Sequence, residues 1–236
     1  MLAPRWTKFM RVGPWLRGER DKRYYLNMFS NAGMIGGLGR EALLRLLPGV
    51  EEGASTVASE GRRSVIWFRG MEQFFNPFLS EQPLIAERLR AITNPAIVRR
   101  VDEAAGVSSI GVHIRRGDFK CGGHTIPDAW YLRAIGAARE RLPGVPVRVF
   151  SDASPAELAF LKGVENLRVM PSAPALHDLL LLSRSSLVVG TSWSTFSMWA
   201  VFLGQMPSLW HPRVPPPDLM LPGTETPLLL ADVNNG

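Results

Sequence analysis

Gly111-Val-His-Ile-Arg-Arg-Gly-Asp118 is the stretch on which the reading of this chain turns. The β-branched, apolar run from Ser108 to Ile114 reads as a buried strand. Two guanidinium groups, Arg115 and Arg116, follow it directly, with a turn glycine and a carboxylate behind them. In an open parallel α/β sheet, ligands sit beyond the carboxyl ends of the strands, which is where these arginines would be delivered. The rigid fork of an arginine can donate two parallel charge-assisted hydrogen bonds to a phosphate. The competing reading is a surface Arg–Asp pair at a strand end, which contributes little.

Around that strand the pattern is regular. Strand candidates at Ser108–Ile114, Val145–Phe150, Leu167–Met170, Leu187–Gly190 and Ser208–Trp210 alternate with helix candidates at Asp128–Leu142, Pro155–Leu161, Ala175–Arg184 and Thr195–Leu203. Strict alternation predicts an α/β fold in which a parallel sheet is doubly wound, with helices covering both faces. Upstream there is one strand candidate, Ser64–Phe68, and two helical patterns, Leu84–Arg90 and Pro95–Ala105, too few for a second complete sheet. The expected organisation is therefore a basic leader over 1–23, an abbreviated N-terminal domain over 24–106, the sheet domain over 107–214, and a tail over 215–236 that is packed outside or loose.

The chain has 236 residues, 46% of them hydrophobic, and a formal charge of +6. Seven basic residues against Glu19 and Asp21 place five of those six charges between Met1 and Arg23, so the rest is nearly neutral. No basic stripe continues beyond the leader, which argues against a nucleic-acid surface. Trp6, Phe9, Met10, Trp15 and Leu16 never join into the apolar run a signal peptide needs. As a basic, aromatic segment the leader could instead lie peripherally on an anionic membrane. A single cysteine, Cys121, excludes an internal disulfide, and cytoplasmic location is the default expectation. Gly37-Leu-Gly39-Arg-Glu-Ala42 fits a dinucleotide-binding turn, but Asn27–Gly33 ahead of it makes a poor buried strand, and the reading preferred is a helix-entry glycine cluster.

Three clusters fall at the carboxyl ends of the predicted strands: His113, Arg115, Arg116 and Asp118; Phe150-Ser-Asp152; and Gly190-Thr-Ser-Trp-Ser-Thr-Phe-Ser197, in which hydroxyls lead into a helix. Free amides and the positive dipole end make such a helix start an anion site, although Ser and Thr there are also ordinary caps. Asp178 either favours its helix dipole or reaches a purine edge. His124 and His177 read as surface or structural residues.

From Trp67 to Trp210 the chain resembles the GDP-fucose-dependent fucosyltransferases, most closely the α-1,2-fucosyltransferases. The resemblance rests on His113-Ile-Arg-Arg-Gly-Asp118-Phe, Asp128-Ala-Trp-Tyr131-Leu-Arg-Ala-Ile, Val149-Phe-Ser-Asp152, Asp178-Leu-Leu-Leu-Leu-Ser183 and Ser192-Trp-Ser-Thr-Phe-Ser-Met-Trp199-Ala-Val-Phe-Leu, in the family's order and near its spacing. It implies two Rossmann-like domains of GT-B type, the second binding a nucleotide sugar, GDP-fucose, for transfer to a glycan acceptor. Arg115 would hold the β-phosphate, with Arg116 beside it. His113 and Asp178 would lie near the nucleoside, Asp152 at its strand end, and Ser194, Thr195, Phe196 and Ser197 near the diphosphate. Asp118 and His124 are the candidates for a general base, and Asp118 would otherwise orient Arg116. No Asp-x-Asp occurs in the chain, so arginine and helix amides are expected to neutralise the leaving group without metal or other cofactor. The chain departs from the family at Gly36-Gly-Leu-Gly39-Arg-Glu41, where a Gly-Gly-x-Gly-Asn-Gln turn is usual. It departs again at Ser192-Trp193, in place of Asn-Ser, and at Met198, in place of Trp. The first departure implies a short acceptor side, or a chain that begins late, and leaves a catalytically inactive GDP-sugar-binding protein as the alternative.

Overall fold

The computed structural model describes residues 28–30, 35, 37–51, 63–67, 75–117, 119, 123–224 and 228–230. The basic leader, Asp118 and Cys121 lie outside the described residues. The chain divides into two compact units: among the described residues, 35–67 belong to the first, and 28–30 together with everything from Phe75 onward belong to the second. In the first, α1 (Gly37–Leu46) precedes β1 (Gly49–Glu51) and β2 (Val65–Trp67), which pair in parallel. Gly37 and Gly39 lie within the opening turn of α1, and residues 31–34 and 36, ahead of it, lie outside the described residues.

The second unit starts with α2 (Gln82–Ile92) and α3 (Pro95–Ala105), and then runs β3 (Ile110–Ile114), α4 (Asp128–Arg141), β4 (Val147–Ser151), β5 (Leu167–Val169), α5 (Ala175–Leu182), β6 (Leu187–Val189), α6 (Thr195–Gly204), β7 (Ser208–Trp210) and β8 (Leu228–Leu229). All six strands are parallel, in the order β5-β4-β3-β6-β7-β8. The chain starts in the centre at β3, winds to one edge, returns, and winds to the other. The reversal lies between β3 and β6, where such a sheet opens a crevice beyond its strand ends.

Both faces are covered, as the alternation predicts. Ile110, Val112, Ile114, Val147, Val149, Leu187 and Val189 pack with Trp130, Tyr131, Ala134, Ile135 and Ala138 of α4 on one face. Phe150, Val188 and Trp210 pack with Leu181 and Leu182 of α5, Met198, Val201 and Phe202 of α6, and Ile97 and Val101 of α3 on the other. The strand period of two sends alternate residues to opposite faces, so His113 and Gly111 lie on the α5–α6 side. Asn94 caps α3 by accepting from the Ala96 amide at 2.9 Å, with Pro95 at the first helical position. Carbonyls at the end of α6 are satisfied by side chains: Gln82 Nε2 donates to Phe202 O and Leu203 O, and Gln205 Nε2 donates to Phe202 O and also to Leu219 O of the later segment.

Three expectations change. Pro155–Leu161 forms turns and a single 3₁₀ turn over Ala159–Leu161; Lys162, at ψ 134°, takes the chain out of helical geometry, and Gly163, at φ +84°, turns it further. The segment beyond Pro215 is not merely a tail: β8 pairs with β7, and Trp130 Nε1 donates to Leu230 O at 2.8 Å, which covers an edge that would otherwise expose unpaired backbone. The helices over 82–105 belong to the same unit as the sheet.

Gly190 ends β6 against the fully buried Trp210, and a Cβ there would lie 2.6 to 2.9 Å from the indole. That ring is pinned by its Nε1–H bond to Ser208 Oγ at 2.8 Å. Gly190→Ala is therefore expected to cost about 1–3 kcal/mol by overpacking, read as a lowered midpoint in urea; an unchanged midpoint would show that the ring moves freely.

Candidate functional site

His113, Arg115, Arg116, Asp152, Thr191 and Ser197 are joined by hydrogen bonds and ion pairs at the carboxyl ends of β3, β4 and β6, where the strand order reverses. Thr191, two residues beyond β6, is the hub. Its hydroxyl donates to His113 O at 2.6 Å and accepts from the Arg115 amide at 3.2 Å. Tyr131 Oη lies 2.8 Å from the same oxygen. The one proton of Thr191 is already given to His113 O, so Tyr131 is the donor in that pair. Burial pushes the Tyr131 phenol well above its ordinary range, which keeps that proton in place.

Ser197, in the first turn of α6, accepts from the Thr191 amide at 3.0 Å and lies 2.7 Å from His113 Nδ1. His113 is fully buried, with its ring 4.8 Å from that of Phe196. Ser197 therefore positions the histidine and the strand end, its hydroxyl being buried and engaged. Ser194 occupies the cap position with no side-chain cap bond, Thr195 is exposed and Phe196 half-buried. The opening turn of α6 thus lies next to β3, and its dipole end favours an anion.

Asp152, 5% exposed at its side chain, controls the two arginines. Its Oδ1 accepts from the Arg116 amide at 2.9 Å and its Oδ2 lies 2.8 Å from Arg115 Nη1. A Cβ at Gly117 would stand 2.7 Å from that Oδ2, so glycine is the residue that lets the loop close on the carboxylate. The adjacent arginines take different places. Arg116 turns into the fold: Nη1 donates to Ile126 O at 2.8 Å, Nη2 to Asp128, and its guanidinium stands over Tyr131 and Phe160 at 5.7 and 5.9 Å. Arg115 keeps about one fifth of its side chain exposed at the strand end.

Asp178 is buried in the first turn of α5, 3.2 Å from His177 Nδ1. His124 is exposed, its ring 5.2 Å from that of Trp193. The sequence marks Thr191 only by its place in the hydroxyl-rich run, and Trp193 only as a departure from the family pattern, neither as a site residue. Thr191 is the first hydroxyl past a buried strand, whereas Trp193 stands out only because it replaces a small polar residue of the family pattern. Among the described residues no group of three or more His, Cys, Asp or Glu could hold a metal ion. Among them also, no helix is long and apolar enough to cross a membrane. A cavity of about 340 Å³ lined by Pro146, Arg148, Asn166 and Arg168 lies at the amino-terminal ends of β4 and β5, away from this edge.

No protein-family model matches the chain, and no curated protein matches it. Among solved structures it is similar to the fucosyltransferase NodZ from Bradyrhizobium, at 26% identity over 48% of this chain and 43% of that one, with a TM-score of 0.36. It is also similar to the NodZ α-1,6-fucosyltransferase co-crystallised with GDP (18% identity, 80% and 79% covered, TM-score 0.45) and to POFUT1 in complex with GDP-fucose (17%, 73% and 58%, TM-score 0.46). The chain spans less than half the length of the first of these.

Proposed function

We propose that this chain is a fucosyltransferase of GT-B type that uses GDP-fucose and transfers L-fucose to a hydroxyl of a glycan, by an inverting step without metal, in α-1,2 linkage. The observation that carries the reading is Arg115, oriented by Asp152 beside the opening turn of α6 at the crevice between β3 and β6. The five motifs of the sequence resemblance support the donor and the linkage.

In the proposed step the acceptor oxygen attacks C1 of fucose on the face opposite the diphosphate. The C1–O bond breaks, GDP leaves with the electron pair, and the acceptor proton passes to a base. Positive charge builds on the sugar and negative charge on the departing phosphate. Preorganised donors aimed at that phosphate are the largest single source of acceleration available. Arg115 and the first-turn amides of α6 supply them, His113 and Asp178 lie toward the nucleoside, and Arg116 braces the loop. Asp118, the favoured base, lies outside the described residues.

Calorimetry with GDP, followed by product analysis with GDP-fucose and a panel of galactosides in the presence of a chelator, tests the proposal. Heat with GDP and a chelator-insensitive fucosylated product are expected. Heat without product would favour the inactive GDP-sugar-binding protein, and clear binding of a pyridine nucleotide with no heat from GDP would overturn both.

A further inference from the structure

Trp193 sits in the loop between β6 and α6 at φ +65°, in the left-handed region, with 51% of its surface exposed. Bulky side chains rarely adopt that backbone, and strain of this kind persists where the surroundings hold it in place, most often at a ligand site. A glycine or asparagine would fill the turn more easily, and a half-exposed indole recovers little by burial. What the structure gives it is a set of aromatic neighbours. The Trp193 ring lies 5.2 Å from that of His124 at an interplanar angle of 41°, and His124 lies 6.0 Å edge-on from Phe119. Phe119 in turn carries the Arg115 guanidinium 5.9 Å from its centroid. The His124 amide donates to Phe119 O at 3.1 Å, which closes the loop bearing both rings. A ladder of rings thus leads from the phosphate-binding arginine to an exposed indole, spanning the loops that follow β3 and β6.

We infer that Trp193, backed by His124, is a platform for the apolar C–H face of a pyranose ring, its edge hydroxyls within reach of the imidazole. The inference rests on the proposed function, because a sugar is what lies beyond the outer phosphate of a nucleotide sugar. Its nucleoside lies on the other side, toward His113. An aromatic face with a polar group at its margin suits a ligand that is apolar on one side and wet on the other.

Trp193→Asn tests it, since asparagine tolerates the left-handed backbone. Indole emission of the wild type and of this variant is followed during titration with GDP, with GDP-fucose and with lactose, and GDP affinity is measured by calorimetry. Expected are an unchanged or raised thermal midpoint, unchanged GDP affinity, and quenching by a sugar-bearing ligand that disappears in the variant, with about tenfold weaker binding of that ligand. Quenching by GDP-fucose alone assigns the platform to the donor sugar, and quenching by lactose assigns it to an acceptor sugar. Quenching by GDP as strong as by GDP-fucose, or equal affinity of both proteins for every ligand, would overturn the platform. Failure of GDP to bind while lactose still quenches would instead remove the nucleotide reading and leave the platform standing.

Discussion

Arg115→Lys is expected to lower turnover of GDP-fucose by about 10²–10³, the usual cost of losing one preorganised donor at a developing oxyanion. Lysine keeps the charge but not the fork. A guanidinium can give one N–H to Asp152 and present others along a fixed direction, whereas an ammonium that follows Asp152 is a compact charge on a flexible stem. The Asp152 contact at 2.8 Å is what makes this difference large, because it fixes the plane of the Arg115 fork before any ligand arrives. The loss should fall mainly on kcat, since the phosphate gains its extra charge in the transition state. Arg116→Lys should act differently: its guanidinium already serves Ile126 O and Asp128, so the expected loss is in urea stability, with GDP affinity nearly intact. Initial rates and GDP calorimetry on both variants decide the matter. Equal effects at the two positions would mean that the arginines act as one unit, against the division of labour drawn here.

The sheet was legible from Ser108 onward because β3, β6 and β7 are buried on both faces and its strands read as short apolar runs separated by helical periods. Strand order was not legible, since nothing in Val147–Ser151 or Leu187–Val189 states which neighbours β3. Parallel packing around a chain that starts in the middle decides it. Arg115 and Arg116 are chemically alike and adjacent, so their opposite fates were hidden. They are set by Asp152 and Asp128, which come from two further elements. Pro155–Leu161 has apolar spacing enough for a helix, but it forms only one 3₁₀ turn before the chain becomes extended at Lys162 and left-handed at Gly163. Leu228–Leu229 is too short to carry a periodic signal and becomes a strand only because β7 offers an open edge. Trp193 was invisible as a site residue for a related reason: its meaning lies in a backbone angle, which composition does not encode.

Thr191→Val should be the most damaging conservative change in the second unit. The side chains have nearly the same shape, so no cavity opens; what is lost is a hydroxyl with three partners. His113 O loses its donor, while the Arg115 amide and the Tyr131 phenol lose their acceptor. Tyr131 is fully buried and its raised pKa keeps it a neutral donor, so it cannot relieve the loss by ionising. Each buried polar group left without a partner costs about 1–3 kcal/mol; of the three, the bonds to His113 O and Tyr131 are buried, and these two imply about 2–6 kcal/mol in urea. Thr191→Ser keeps the hydroxyl and should retain most of that stability. The sharper check is a double-mutant cycle. Tyr131→Phe alone also costs stability, but Tyr131→Phe combined with Thr191→Val should cost less than the two changes added, because Tyr131→Phe removes the donor that Thr191→Val leaves stranded. The same hydroxyl fixes the Arg115 amide, and so Thr191→Val should also slow turnover under conditions where the variant is fully folded. A Thr191→Val protein that melts with the wild type would show that Tyr131 finds another acceptor. The coupling of β3, α4 and the loop after β6 through one oxygen would then have to be abandoned.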